Sequence, residues 1–135
     1  MSGNWIGGVP QQTTDGNINT VTPNSTVVAS PGALVQNLSV GPTGTGTLTI
    51  QTGGTLNNSF GTVGNLPGGV GTVTVTGAGS NWSNAGTVVV GGQGMGTLTI
   101  QDSGTVNSGG GSVGLSAGST GTVTVTGPAP LGSTD

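Results

Sequence analysis

One pentapeptide pattern recurs at a fixed distance along this chain of 135 residues. Each copy reads glycine, threonine, aliphatic residue, threonine, aliphatic residue, and the copies begin at positions 46, 71, 96 and 121, a constant step of 25 residues. Strict alternation of polar and apolar side chains is typical of a β-strand with one buried face. Because the strand returns at constant spacing with no helical pattern between its copies, the sequence predicts a solenoid.

Two shorter strand patterns, separated by glycine-rich corners, complete each 25-residue repeat. The three predicted strands are 47–50, 55–57 and 62–63 in one rung, 72–75, 81–83 and 87–90 in the next, and 97–100, 105–107 and 112–113 in the third. Glycine supplies the positive φ that sharp corners need. The pattern therefore predicts an all-β, right-handed parallel β-helix (β-solenoid) of triangular section. A β-sandwich is the alternative, but its strands would not keep a strict 25-residue spacing.

In a β-helix, neighbouring rungs lie about 4.8 Å apart, so equivalent residues stack in columns. The alternation predicts two inward columns, Leu48, Val73, Leu98 and Val123 in one and Ile50, Val75, Ile100 and Val125 in the other. Trp82 falls one position later in its rung than Leu56 and Val106 do in theirs. The corner after Trp82 is one residue shorter, so we expect Trp82 to point inward and fill the space of Leu56.

The repeat divides the chain into four expected segments. Residues 1–15 are predicted to be an N-terminal cap, in which Trp5 and Ile6 cover the first rung, because a solenoid end exposes unpaired backbone and apolar surface. Residues 16–45 read as a degenerate first rung with Pro23 and Pro31 at corners, since proline cannot donate to an interior ladder. Residues 46–127 are the regular β-helix, and 128–135 form a C-terminal tail.

The composition narrows the function more by what it lacks than by what it contains. The chain has 31 glycines, no Lys, Arg, His, Cys or Tyr, and a net charge of −3 from Asp15, Asp102 and Asp135. Low complexity can indicate disorder, but disordered chains are usually highly charged, and here the aliphatic residues keep a fixed phase. Nucleic-acid binding is not expected without basic residues to neutralise phosphates. No window of about 18 apolar residues exists, so we expect no membrane insertion by this segment.

Catalysis is not expected, because almost no side chain can transfer a proton. Asp15 and Asp102 lie more than three rungs apart in the predicted helix, or roughly 15 Å or more. That separation exceeds the ~5–9.5 Å of a glycosidase carboxyl pair, and no base is present to activate the many Ser and Thr hydroxyls. We predict no cofactor and no metal site, since calcium-binding solenoids place an aspartate in each turn and the corner 91–96 has none.

Paired threonines supply the one surface with a candidate ligand. The outward residues of the recurring strand are Thr47, Thr49, Thr72, Thr74, Thr97, Thr99, Thr122 and Thr124. They are expected ~6.6 Å apart along a strand and ~4.8 Å apart between rungs. Such a flat array resembles the ice-binding face of some solenoid antifreeze proteins, and a glycan is a further candidate ligand. The alternative explanation is that threonine is simply a good strand former.

The longest motifs resemble those of a known group of bacterial proteins. The run that starts at Gly46-Thr-Leu-Thr-Ile, continues through Gly54-Thr-Leu-Asn and Val63-Gly64, and reaches Gly71-Thr-Val-Thr-Val-Thr-Gly-Ala-Gly-Ser-Asn-Trp82 is similar to repeats of type V secretion (autotransporter) passengers. Similar repeats occur in surface proteins with a C-terminal PEP sorting signal. Residues 4–10 resemble the start of such passengers. The resemblance implies an extracellular β-solenoid, often part of an adhesin, and implies no catalytic residues.

Two functional hypotheses follow from these observations. The first is a non-enzymatic extracellular or cell-surface structural solenoid, a stalk or adhesin passenger segment with a host-surface or glycan partner. The second is a subunit of a head-to-tail filament, in which one copy's last strand stacks on the next copy's start. The residues predicted at that end-to-end interface are Trp5, Ile6, Val123 and Val125.

Overall fold

The computed structural model describes residues 15–19 and 26–127, and every regular element in these ranges is a β-strand. Within them, no helix is long and apolar enough to cross a membrane. The strands of the described residues are β1 (Gly16–Ile18), β2 (Thr26–Val28), β3 (Ala33–Leu34), β4 (Asn37–Val40), β5 (Thr45–Ile50), β6 (Thr55–Asn58), β7 (Phe60–Val63), β8 (Val70–Thr76), β9 (Asn81–Asn84), β10 (Thr87–Val90), β11 (Met95–Gln101), β12 (Thr105–Asn107), β13 (Gly110–Val113) and β14 (Thr120–Thr126).

The strands form three parallel sheets, because each strand pairs with the third strand before it and the third strand after it. In the described part of the chain, sheet A has the order β1-β4-β7-β10-β13, sheet B the order β2-β5-β8-β11-β14, and sheet C the order β3-β6-β9-β12. The chain visits B, C and A in turn and then returns to B one rung higher. This topology confirms the predicted parallel β-helix with three strands per rung and excludes the β-sandwich.

Sheet B sets the register of the stack. Leu48 pairs with Val73, Val73 with Leu98, and Leu98 with Val123, so the 25-residue step of the sequence is the step between rungs. The strands of this sheet begin two residues earlier than predicted, because the alternation continues back through the glycine of each copy. That glycine is needed for close packing, since a Cβ on Gly71 would lie 2.2 Å from the carbonyl oxygen of Val40.

Stacked aliphatic side chains fill the interior, as the alternation predicts. Of the eight residues expected inside, five are buried and Ile100 is partly buried: the buried ones are Leu48, Ile50, Val73, Val75 and Leu98. The prediction is wrong for Val123 and Val125, which are 40% and 70% exposed. They occupy the same columns, but β14 is the last strand of sheet B in the described residues, so no described rung covers them.

Trp82 lies inward, which confirms its predicted position. It pairs with Leu56 below and Val106 above, and its side chain is fully buried. The indole reaches across the core to β7, where a Cβ on Gly61 would come within 2.7 Å of its ring carbon Cζ2. Glycine at position 61 therefore makes room for the indole, although its neighbour one rung up in sheet A, Val88, carries a full side chain.

Two buried side-chain hydrogen bonds link the indole to a pair of asparagines. The Trp82 Nε1–H donates to the Asn58 side-chain oxygen at 2.7 Å, and the Asn58 amide donates to the Asn84 side-chain oxygen at 2.6 Å. Both asparagines are more than nine-tenths buried, and the Asn84 amide nitrogen has no partner. The indole N–H thus keeps a hydrogen bond inside the core, as a buried tryptophan usually does.

The two ends of the described stack differ. Ile18 and Val28, in the first strands of sheets A and B, are only 2% and 7% exposed, whereas Val113 in the last strand of sheet A is 55% exposed. Ile18 pairs with Val40 in sheet A, so it belongs to the last strand of a rung. Pro31 lies in the bend between β2 and β3, as predicted. Trp5, Ile6, Pro23 and the tail 128–135 lie outside the described residues.

Candidate functional site

The eight threonines predicted as a ligand face lie on the outer surface of sheet B. The pairing places Thr47, Thr72, Thr97 and Thr122 in one column and Thr49, Thr74, Thr99 and Thr124 in the next. The threonines of the three lower rungs are partly buried by their neighbours, and the two of β14 are exposed. We call these two columns the threonine face. Because the register is unbroken over four rungs, the face is a regular grid of methyl and hydroxyl groups.

Two further rows extend the threonine face along the strands. On one side lie Val70, which is partly exposed, and Met95, which is 55% exposed, and these two residues pair with each other. In the same row, Val70 pairs with Thr45 below it and Met95 pairs with Thr120 above it. The sequence interpretation missed this apolar row because it began each strand at the threonine that follows the glycine. The signal was present, since the outward phase continues back across the glycine to positions 45, 70, 95 and 120.

The opposite side of the threonine face is polar. The Thr76 hydroxyl donates to an Asp102 carboxylate oxygen at 3.1 Å, and the Gln101 amide donates to the Thr76 hydroxyl oxygen at 3.5 Å. Asp102 follows β11 directly, so the grid has a single charge at its edge. The chemistry available on the face itself is hydrogen bonding by hydroxyls and contact with methyl groups, which suits a neutral polar ligand.

The two side-chain carboxylates in the described residues, Asp15 and Asp102, are held in different rungs of the stack. Asp15 accepts from the Asn37 backbone N–H at 3.2 Å and from the Asn37 side-chain amide at 2.8 Å, next to the start of β4. Asp102 is held at the far end of sheet B, near Thr76. Among the described residues, no group of three His, Cys, Asp or Glu side chains is placed to hold a metal ion.

A shallow groove runs along the corner between sheets C and A. Its volume is about 220 Å³, and it is lined by Leu34, Val35, Asn57, Asn58, Ser59, Ser83 and Ala85. Phe60 lies next to it with about half of its surface exposed, and its ring covers Gly86, where a Cβ would meet it at 2.5 Å. The groove offers amide and hydroxyl groups beside the aliphatic side chains of Leu34, Val35 and Ala85, and no ionisable group lines it.

The upper end of the stack is the second candidate surface. Val113, Val123 and Val125 are exposed there, and Leu115 in the last corner is also exposed. Two of these four, Val123 and Val125, were predicted at an end-to-end interface. Their predicted counterparts, Trp5 and Ile6, lie outside the described residues, so head-to-tail assembly stays a prediction.

Comparison with protein-family models, with curated proteins and with solved structures finds no match for the chain.

Proposed function

We propose that this chain is a non-enzymatic structural segment, a β-solenoid rod that spaces or displays other parts on the outside of a bacterial cell, as a stalk or adhesin passenger. The observation that supports it is the unbroken register of sheet B. There, β11 pairs over all seven of its residues with β8 on one side and with β14 on the other. Each rung adds about 4.8 Å of length.

Two properties of the rod suit an exposed location. Every strand inside the stack has a partner above and below, so the backbone is held in ladders rather than in loops that a protease can bind. The sequence contains no Lys or Arg, and trypsin therefore has no cleavage site in it.

Lengthening the rod tests whether added repeats extend the solenoid, as a spacer requires. A second copy of residues 46–95, inserted after position 95, is expected to add two rungs and to lengthen the particle by about 10 Å at constant cross-section. Small-angle X-ray scattering measures both dimensions. An inserted copy that increases the cross-section, or that remains unfolded, would contradict a simple extendable rod.

Labelling of intact cells tests the location. An antibody against the threonine face, applied to unbroken cells that express the native gene, is expected to bind, and proteinase K added outside is expected to remove accompanying domains more readily than the rod. Antibody binding that appears only after lysis would refute the cell-surface location, and it would not bear on the proposal that the chain is a rod.

A ligand on the threonine face is a second candidate function, favoured by the regular grid described above. The test is a Thr74→Val and Thr99→Val double variant, which removes two hydroxyls and preserves both shape and strand preference. Thr87→Val on the outer face of sheet A is the matched control. Activity in ice-recrystallisation or glycan-array assays that only the double variant loses supports this candidate, and a wild-type protein inactive in both assays removes it.

A further inference from the structure

The corners that join sheet A to sheet B alternate in length along the rod. They span residues 41–44, 64–69, 91–94 and 114–119, which is four, six, four and six residues in turn. We call the two six-residue corners the ridges and the two four-residue corners the notches. Each ridge and each notch returns after 50 residues, which is two rungs of the stack.

The ridges project from the rod, whereas the notches are recessed. In the first ridge, the Gly69 N–H donates to the Leu66 carbonyl oxygen at 2.9 Å and closes a β-turn. Gly68, at the tip of this turn, has φ +81°, as a type II turn requires, and a Cβ there would meet no atom within 4 Å. In the notch above, Gly94 is buried, and a Cβ on it would collide with the Gly69 carbonyl oxygen. This corner of the rod is therefore a serrated edge.

Apolar side chains follow the serrated edge. Leu66 is 40% exposed, Val70 at the start of β8 is 37% exposed, and Met95 one rung higher is 55% exposed. Val70 pairs with Thr45 below it and Met95 pairs with Thr120 above it, so described rungs flank both residues. Their exposure is thus a property of the side of the rod and not of its ends. A contiguous exposed apolar surface on a protein commonly marks an interaction site.

We infer that the serrated edge binds the same edge of a second copy, which lies alongside the first and runs in the opposite direction. The two-fold axis is perpendicular to both rods. It sets corner 41–44 of one copy beside corner 114–119 of the other, and corner 64–69 beside corner 91–94. Each ridge then faces a notch of the other copy. The contact is isologous, because both copies use the same surface.

The alternation of ridges and notches selects the antiparallel arrangement. In a parallel pair in register, ridges would meet ridges and hold the rods apart. A parallel pair shifted by one rung would mesh, but it would use different surfaces on the two copies, and such contacts do not close. In the antiparallel pair, Val70 of one copy faces Met95 of the other, and Leu66 faces the glycine-rich notch. The three apolar side chains thereby leave water together.

The charge distribution also favours a second copy as the occupant. The two carboxylates in the described residues lie away from the serrated edge, since Asp102 is in the corner between sheets B and C and Asp15 is beside the start of β4. Two copies can therefore meet here without bringing these carboxylates together. An edge with no charge offers no attraction to a basic or acidic partner, whereas its shape and its apolar side chains are matched by its own copy.

The area of the contact sets its strength. Four rungs span ~19 Å, and an edge about 15 Å wide over that length buries roughly 600 Å² on the two copies together. Specific interfaces bury ~1,200–2,000 Å², so we expect the described rungs alone to associate weakly, with a dissociation constant of about 1 mM. Each further pair of rungs adds one ridge and one notch, and about eight rungs reach the lower limit of a specific interface. Pairing therefore strengthens with the length of the rod, whatever its cellular location.

A lengthened rod tests the association. Two further copies of residues 46–95, inserted after position 95, add four rungs and keep the alternation of ridges and notches. Sedimentation equilibrium should give a dimer whose dissociation constant is lower than that of the natural chain by about tenfold or more. Small-angle scattering on the same sample separates this inference from the rod itself, because added rungs that fold without pairing lengthen the particle at constant cross-section. A folded, lengthened rod that is monomeric at millimolar concentration overturns the inference.

Substitution of one apolar side chain on the serrated edge tests its location. Met95→Gln, made in every copy of the repeat, should weaken the lengthened dimer by about tenfold or more. Phe60→Gln is the matched control, because Phe60 is 54% exposed but lies in sheet A. Circular dichroism should show that both variants remain folded. Equal effects of the two substitutions on association overturn the assignment of the interface to this edge.

Cysteine cross-linking of the natural-length chain tests the direction of pairing, since the sequence has no Cys. Thr43 in the first notch and Ala117 in the second ridge are exposed, and they face each other across the antiparallel contact. Two copies of the same variant hold their cysteines three rungs apart, or ~14 Å, beyond the ~7 Å between Cα atoms that a disulfide spans. Mild oxidation of mixed Thr43→Cys and Ala117→Cys chains should therefore give a covalent heterodimer, and neither variant alone should cross-link. Cross-linking of either variant alone, or none in the mixture, overturns the antiparallel pairing.

Discussion

The Trp82 indole packs where Gly61 has no side chain. We therefore expect the Gly61→Ala substitution to lower the free energy of unfolding. A Cβ at position 61 would lie 2.7 Å from Trp82 Cζ2 and 2.7 Å from the Asn84 side-chain oxygen, closer than real Cβ contacts. Overpacking of this size costs about 1–3 kcal/mol. The indole cannot move aside at low cost, because it is fully buried and donates to Asn58.

The matched control lies in the same column of sheet A. Gly111 is equivalent to Gly61 two rungs up, but a Cβ there would meet only the Val88 carbonyl oxygen at 3.8 Å. Gly111→Ala should therefore be neutral, or stabilise by up to about 1 kcal/mol by restricting the unfolded chain.

A double-mutant cycle provides the decisive measurement. Trp82→Leu alone should cost about 3–5 kcal/mol, because leucine replaces only part of the ~150–250 Å² that a buried indole contributes at ~25 cal/mol/Å², and the Asn58 side-chain oxygen loses its donor. In that background, Gly61→Ala should cost at least 1 kcal/mol less than in the wild type, because the methyl group enters vacated space. Urea unfolding followed by circular dichroism gives all four free energies. Additivity within about 0.5 kcal/mol would refute the packing argument.

Three further predictions use the same unfolding assay. Val73→Asp should destabilise by at least 3 kcal/mol, because it places an unpaired carboxylate in a dry column, and the same change at the exposed Val125 should cost less than 1 kcal/mol; equal losses would show that the columns are wrongly assigned. Gly64→Ala should be severely destabilising, since Gly64 has φ +67° and a Cβ there would lie 2.0 Å from the Met95 carbonyl oxygen. The control, Gly114→Ala, should cost only about 1 kcal/mol, because Gly114 has φ +64° but nothing lies closer than 3.8 Å to its Cβ position. Similar costs would mean that the positive φ, and not the steric clash, sets the loss of stability. Ser103→Gly should stabilise by about 0.5–1 kcal/mol, because Ser103 has φ +71° where the equivalent Gly53 has +79°, and an unchanged midpoint would contradict strain at this turn.

The sequence predicted the fold because the 25-residue repeat and the alternation of polar and apolar residues both indicate a stack of parallel strands with one buried face. The 25-residue step fixed which residues pair, and the phase placed Leu48 and Val73 inside and the threonines outside. It also placed Trp82 inward, although the reason was wrong: the corner between β9 and β10 is one residue longer than that between β6 and β7, and the shift is compensated at the next corner, 91–94, which is two residues shorter than 64–69. These are local regularities, and a repeated fold converts them directly into contacts.

The features that the sequence did not predict depend on contacts between different sheets or on position in the stack. Nothing in the local pattern around Gly61 indicates an indole from sheet C, since Leu38 and Val88 occupy the same column. The Asn58–Asn84 bond joins two rungs whose asparagines looked like ordinary polar residues. Val123 and Val125 repeat the pattern of buried residues faithfully, and only their place in the last rung exposes them.

Near-identical rungs create a difficulty during folding, and the indole of Trp82 offers a solution to it. A strand that reads Thr-Val-Thr-Val can pair almost equally well with any strand that reads Thr-Leu-Thr-Ile, so a growing stack could skip a rung at little loss of energy. The indole fits only where a glycine faces it and an asparagine accepts its N–H, and Gly61 with Asn58 is that place. A stack that skipped the rung of Gly61 would bury the indole against Leu38, the next residue down the same column. This pair therefore distinguishes rungs that are otherwise interchangeable.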